Sequence, residues 1–456
     1  MTFNSLIFIF LVIPIFYLSY FKLKPNKKIA AMFVISFLFY FWIEPIYSIG
    51  LLFLCFYIFI LCKKQQEESN IAKRNLLIEM VSIVLFLLAY FKYYGFVLDT
   101  IGDFTKIEMT FKLFAPPAAI SFIAFTLISY IVDCYKGKEP AKNFIEFGAY
   151  VFFFPKILMG PIMRFEDFKG QGLKKASLND LEMAIRRFIV GLGKKVILAD
   201  SFALVFSQMS QLEEPTMLTA WLCAFAFSFQ IYFDFSGYSD MAIAIGNAFG
   251  YKVPENFNYP YISKNIKDFW KRWHISLSTW FRDYVYIPLG GSRCNLKRVI
   301  LNTFIVWFLT GLWHGASWNF VLWGLYYFLL LIIERYGISK VNIKISRQAS
   351  VLLTFILVTI GWVFFSYTDF TQMLNQFKAL IGFNGIVNRE FFWFLKNNFI
   401  LFVLGIIGST PFMKNLSAEL EGKNEILKTV ILLVVFMISI AFIIKSSFTP
   451  FLYVQF

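Results

Sequence analysis

The chain has 456 residues, of which 59% are hydrophobic and 60 are phenylalanine, and its formal charge is +15. No soluble globular class carries that composition. Apolar runs of membrane-spanning length recur from end to end without strand-period alternation, which implies an all-α polytopic membrane protein. Nucleic acid is excluded as the reason for the charge, because the basic residues sit at the ends of apolar runs, where they set topology and meet anionic lipid heads. No polar linker divides the chain, so residues 1–456 read as a single membrane domain. The five scattered cysteines have no metal or redox spacing and read as small core residues.

The first apolar run, Phe3–Phe21, lacks a basic leader and a small-residue cleavage site, so it reads as a retained span. Lys22, Lys24, Lys27 and Lys28 follow it and place that loop in the cytoplasm, with the N-terminus outside. Ile29–Trp42 and Tyr47–Leu61 come next, turned outside at Glu44-Pro45, and Lys63, Lys64, Lys73 and Arg74 bring the chain back in. Leu76–Phe91 goes out and Pro117–Val132 returns. Phe144–Gly160 is apolar with basic residues on both sides, so it reads as a re-entrant segment whose tip is broken by Pro155-Lys156 and Gly160-Pro161.

Ser177-Leu178-Asn179-Asp180 has the pattern of a capping box and starts a helix that leads to a span over Val196–Met209. Met217–Gly250 is too long for one plain span and holds Gln230, Asp234, Ser236, Ser239 and Asp240, which lipid disfavours and which should face the protein interior. Phe269–Ile287 mixes tryptophan and tyrosine with Arg272, Arg282 and Asp283 between basic flanks, and reads as an in-plane or re-entrant helix on the cytoplasmic side. Val299–Leu312 and Phe320–Ile333 form a tight pair with His314 near the turn, and spans at Val351–Phe365, Phe391–Ile407 and Val430–Ile444 close the chain. The expected total is eleven or twelve crossings with two re-entrant or interfacial segments.

The chain holds two histidines, His274 and His314. Histidine is the side chain whose ordinary pKa lets it exchange a proton near neutral pH, and an ionisable group inside an apolar segment is a candidate for function. His314 is flanked by Gly311 and Gly315, which let a backbone or substrate approach closely. His274, beside Trp273, reads either as a functional residue or as an interface anchor. The two histidines have no carboxylate or cysteine partners at ligand spacing, so no metal site is expected. Asp234 is placed to orient a histidine, bind a cation or tie two helices together, and Lys156 either meets a phosphate or snorkels. No nucleophile elbow, Walker loop or dinucleotide fingerprint is positioned to work. The chemistry these residues allow is an imidazole base acting on a hydroxyl that attacks an activated acyl group.

Five motifs are long and specific: FFPKILMGPIMRFEDF (Phe153–Phe168), FDFSGYSDMAIAIG (Phe233–Gly246), PENFNYPY (Pro254–Tyr261), FWKRWHISLSTWFRDYVYIPLGG (Phe269–Gly291) and GLWHGASWNFVLWG (Gly311–Gly324). Through them the chain resembles the membrane-bound O-acyltransferases, in the branch of alginate and peptidoglycan O-acetylation, with the D-alanyl transfer protein of teichoic acid modification a more distant relative. The core motifs fall in residues 150–336, and the helices of 345–456 are less specific. The resemblance implies a ring of helices around a thinned centre, reached from the cytoplasm and from outside. It makes His314, in Trp313-His314-Gly315, the catalytic base and His274 the second catalytic histidine. Lys156, Gln230, Asp234, Trp273, Trp313 and Trp318 are the candidates for lining the substrate channel.

The resemblance further implies an enzyme of the bacterial cytoplasmic membrane with no bound cofactor. It would pass acetyl from a cytoplasmic thioester, either acetyl-CoA or an acyl carrier, to an extracytoplasmic transferase or to the polysaccharide itself. D-alanyl transfer to teichoic acid is the alternative within the family. A transporter or flippase of an acylated lipid or sugar would show two matching halves with paired broken helices, and no such repeat is visible. The orientation is directly testable: a reporter fused after Arg74 should behave as cytoplasmic, and a periplasmic signal there would invert the topology.

Overall fold

The computed structural model describes residues 2–106, 114–173, 177–337, 345–420, 424–445 and 451, and among these every regular element is helical. Nine described helices are long and apolar enough to cross a membrane: Pro25–Ile43, Pro45–Gln65, Asn70–Thr105, Met217–Ala248, Leu296–His314, Trp318–Gly337, Arg347–Ser366, Arg389–Gly408 and Glu425–Lys445. Two shorter apolar helices, Phe8–Phe21 and Ile120–Tyr135, accompany them. The all-α polytopic membrane architecture follows, since a helix alone bonds every backbone group within its own segment.

Local signals set the helix starts. Proline occupies the first helical position at Pro25 and Pro45, where its missing N–H costs nothing. Asn143, Asn265 and Asn295 each accept a bond from the backbone N–H three residues on. The expected capping box is present: Asp180 N–H donates to Ser177 Oγ at 3.1 Å and Ser177 N–H donates to Asp180 Oδ2 at 2.9 Å.

The described chain forms two compact units, Met1–Phe188 with Met241–Pro254 and Ile189–Asp240 with Glu255–Phe456. In the first, Pro25–Ile43 packs on Phe144–Phe152, where Phe33, Phe37 and Tyr40 meet the ring of Phe152. Phe144–Phe152 and Phe154–Ile157 are separate short helices broken at Phe153. Nine residues rise only about 14 Å against a hydrocarbon core of about 30 Å, which fits a re-entrant segment and not a crossing.

In the second unit, Leu296–His314 and Trp318–Ile332 touch backbone to backbone. A methyl on Gly311 would strike the carbonyl oxygen of Phe320, and one on Gly324 would strike that of Trp307. This crossing fixes the end of the first helix, and His314 is its last residue.

Two expectations change and a third is met. The expected Phe269–Ile287 helix is broken into Ile266–Trp270, Ile275–Phe281 and a π-helical turn over Arg282–Tyr286. His274 stands at the break with φ +44°. The cause is a short extended pairing: Asn258 N–H donates to Arg272 O at 2.9 Å and Ile275 N–H donates to Asn256 O at 3.0 Å. The expected span Val196–Met209 is the end of a helical stretch that starts at Leu178 and passes through a π-turn at Lys194–Ala199. The stretch Met217–Gly250 forms one unbroken helix to Ala248, whose 32 residues extend about 48 Å.

The glycine crossing predicts a sign reversal. Alanine is worth about 1 kcal/mol over glycine in a helix interior, but a forced overlap in a packed core costs about 1–3 kcal/mol. Gly311→Ala should therefore lower the melting temperature of the detergent-solubilised protein. Gly50→Ala, whose added methyl meets nothing within 4 Å, should leave it unchanged or raise it.

Candidate active site

Both histidines lie in the second unit and both are buried: His274 has no exposed surface and His314 has 3%. The indole of Trp313 links them. Its ring centroid is 5.9 Å from that of His274 and 5.0 Å from that of His314. Trp323 and Phe365 meet the His314 ring nearly edge-on at 4.8 and 5.3 Å. Phe235 meets the His274 ring at 4.6 Å with the planes perpendicular. Trp273 joins the same aromatic wall through Trp362, at 4.7 Å with the ring planes tilted by 47°. Each such pair contributes about 0.5–1.5 kcal/mol beyond area burial, so the rings hold the imidazoles in a fixed apolar frame.

His274 is held by more than packing. Its Nδ1 is 3.1 Å from Asn256 Oδ1, and that oxygen also accepts from Ser276 N–H at 3.2 Å and Ser276 Oγ–H at 2.8 Å. Asn256 Nδ2 donates in turn to Ser239 Oγ at 3.2 Å, on the Met217–Ala248 helix. A left-handed backbone at a residue other than glycine costs about 1–3 kcal/mol, which this network offsets. His274 lies outside the membrane-spanning helices, and burial pushes its imidazole pKa down to about 3, so the ring is neutral. The ring is thus enclosed in protein, and the reading of His274 as an anchor at the membrane surface does not describe its place.

The other candidates fall in different surroundings. Asp234 binds the ammonium of Lys195 at 2.7 Å, and Lys195 also reaches Asp200 at 2.8 Å. The ring of Phe451 lies 4.6 Å from the same ammonium. The neighbouring Lys194 pairs with Asp240 at 2.7 Å. Gln230 is buried on the same long helix as Asp234, and its side-chain oxygen has no hydrogen-bond donor among the described residues. Trp318, at the start of its helix, is 53% exposed. Lys156 belongs to the first unit, where its ammonium sits 3.7 Å above the ring of Tyr150 and burial pushes its pKa down.

Sequence reasoning passed over Asn256, Ser276, Lys195, Trp323 and Trp362. Asn256 stands in the PENFNYPY motif and Trp323 in the motif around His314, so the signal lay in the motifs and not in any single residue. Lys195 was visible only as a topology signal at the end of an apolar run.

Two buried imidazoles in a helical membrane protein are candidates for function. The chain belongs to the membrane-bound O-acyltransferase family, whose profile matches residues 135–373. It is 34% identical over 486 aligned residues to a probable alginate O-acetylase of Pseudomonas putida, with both chains covered in full. It is 31% identical to the peptidoglycan O-acetyltransferase of Helicobacter pylori, over all of this chain and 97% of that one. The teichoic acid D-alanyltransferase of Bacillus subtilis is 31% identical over 274 residues, which cover 55% of this chain and 69% of the relative. The chain is therefore an O-acyltransferase, and its similarity extends past residue 345 into the helices that the motifs left unspecified.

The buried ion pairs generate a prediction. Lys195 and Asp234 are 2% and 3% exposed in their side chains, whereas Lys194 and Asp240 are 22% and 16% exposed. Removing one partner of a fully buried pair strands the other charge and costs about 3–5 kcal/mol, and the cost falls toward the roughly 0–1 kcal/mol of a surface pair as solvent reaches the charges. Lys195→Met should lower thermal stability in detergent far more than Lys194→Met, and equal shifts would show that the Lys195 cluster is solvated.

Proposed function

We propose that this O-acyltransferase carries acetyl from a cytoplasmic thioester across the bacterial cytoplasmic membrane for O-acetylation of an extracytoplasmic polysaccharide. The observation that carries the reading is the meeting of the chain's two histidines on Trp313 inside a buried aromatic frame. The acetyl group and the glycan are supported by two relatives of nearly the same length, one named for alginate and one for peptidoglycan O-acetylation. The D-alanyl relative matches little more than half of this chain.

In this reading His314 is the general base. Its neutral imidazole takes the proton of the acceptor hydroxyl, the oxygen attacks the thioester carbon, and the C–S bond breaks. The leaving thiolate takes a proton and the acetyl ester remains on the acceptor oxygen. A thioester is already activated, so a base and a held acceptor are the main requirements. His274 takes part on the donor side. The enzyme needs no bound cofactor, since acetyl-CoA or an acyl carrier enters as substrate. The acceptor is an extracytoplasmic transferase or the glycan itself, and the N-terminus lies outside.

A general base contributes about 10²–10⁴-fold. His314→Gln keeps the approximate size and hydrogen bonding but removes the basicity. It should cut base-labile acetyl ester on the surface glycan by about that factor, at unchanged membrane protein level. Near-normal acetylation by this variant would make His314 a structural residue and overturn the mechanism.

A further inference from the structure

We infer that Asn256 is a positioning residue that fixes the tautomer of His274, placing the proton on Nδ1 and leaving Nε2 as the lone-pair nitrogen of the site. The inference rests on the reading that His274 serves the transfer. Its basis is the set of bonds on one amide. Ser276 N–H is a donor in every state, so the Asn256 atom 3.2 Å from it is the oxygen. The amide nitrogen then faces Ser239 Oγ at 3.2 Å, which has lone pairs to accept it. An amide oxygen cannot donate. At 3.1 Å, His274 Nδ1 must therefore carry the hydrogen, because two lone pairs at that distance repel.

The other ring nitrogen follows by elimination. A neutral imidazole with hydrogen on Nδ1 has its lone pair on Nε2. Among the described residues Nε2 has no hydrogen-bond partner, although it is buried. Asn256 and His274 are each 0% exposed, so rotation into solvent does not relieve this arrangement. A buried acceptor left open within the protein is suited to a substrate N–H or O–H, and here to the hydroxyl or thiol of the transfer. The side chains on the ring, Asn256, Phe235 and Trp313, carry no charge, so the tautomer is selected by this one amide. The same residue also holds the left-handed turn, since Asn256 O accepts from Ile275 N–H at 3.0 Å. That bond is to the backbone and survives a side-chain change.

The test uses membranes containing the full chain, supplied with radiolabelled acetyl-CoA and assayed for acetyl ester on the surface glycan from pH 5 to 9. Asn256→Ala should lower transfer at least tenfold at all pH values. In a His274→Ala background the same change should have no further effect. Asn256→Asp keeps an acceptor for Nδ1–H but places a negative charge beside the ring, which favours the imidazolium. It should recover activity at high pH and lose it as pH falls, so that the acid limb lies above that of the wild type. This limb shift is a readout that a purely structural role would not produce, and it remains available if Asn256→Ala fails to accumulate. Wild-type transfer by Asn256→Ala, or a pH profile of Asn256→Asp that superimposes on the wild type, would overturn the inference. Full activity of His274→Ala would instead overturn the role of His274 on which it rests.

Discussion

Irregular backbone at membrane depth must be enclosed by protein, because lipid offers no hydrogen bonds to an open N–H or C=O. The site depends on a break in regular structure at His274, where the adjoining backbone groups are bonded within the protein. His274 could not present its ring from a continuous helix and also share an amide with residue 256. The left-handed turn at His274 allows both, and its backbone groups are bonded to the segment 256–258. The aromatic wall packs around this break. Trp273, Trp313 and Trp362 thus serve the backbone as well as the imidazoles.

Charge placement follows the same constraint. The long Met217–Ala248 helix is largely buried, whereas Glu425–Lys445 exposes most of its length, as a lipid-facing helix does. Polar groups therefore collect on the former. Asp234 and Asp240 are matched by Lys195 and Lys194 from a π-turn, a helix distortion that sets successive side chains on neighbouring partners. Ser239 on the same helix reaches Asn256, so the helix that carries the ion pairs also anchors the amide that holds His274.

The family assignment and the geometry bear on different parts of the question. Membership in the membrane-bound O-acyltransferases gives the reaction class for the whole chain, including the helices beyond residue 345. The geometry adds the immediate surroundings of the two imidazoles. Apolar rings meet both imidazoles, and one amide meets His274. For His274 the neutral imidazole is the form such surroundings favour.

The sequence by itself determined the class of fold and most of the crossings. Val299–Leu312, Val351–Phe365, Phe391–Ile407 and Val430–Ile444 each lie inside an observed helix, because length and apolarity are local properties that lipid reads directly. It also marked His274 and His314, since ionisable residues stand out in an apolar chain. Only the tertiary structure decided that the stretch around His274 breaks, because the cause is pairing with residues 256–258, more than a dozen positions earlier. Tertiary structure also gave Asp234 to Lys195, 39 residues away, and brought Trp323, Trp362 and Phe365 around the histidines. Hydrophobic runs carry no record of which side chain faces which. That choice is made when helices pack, and the site consists of those choices.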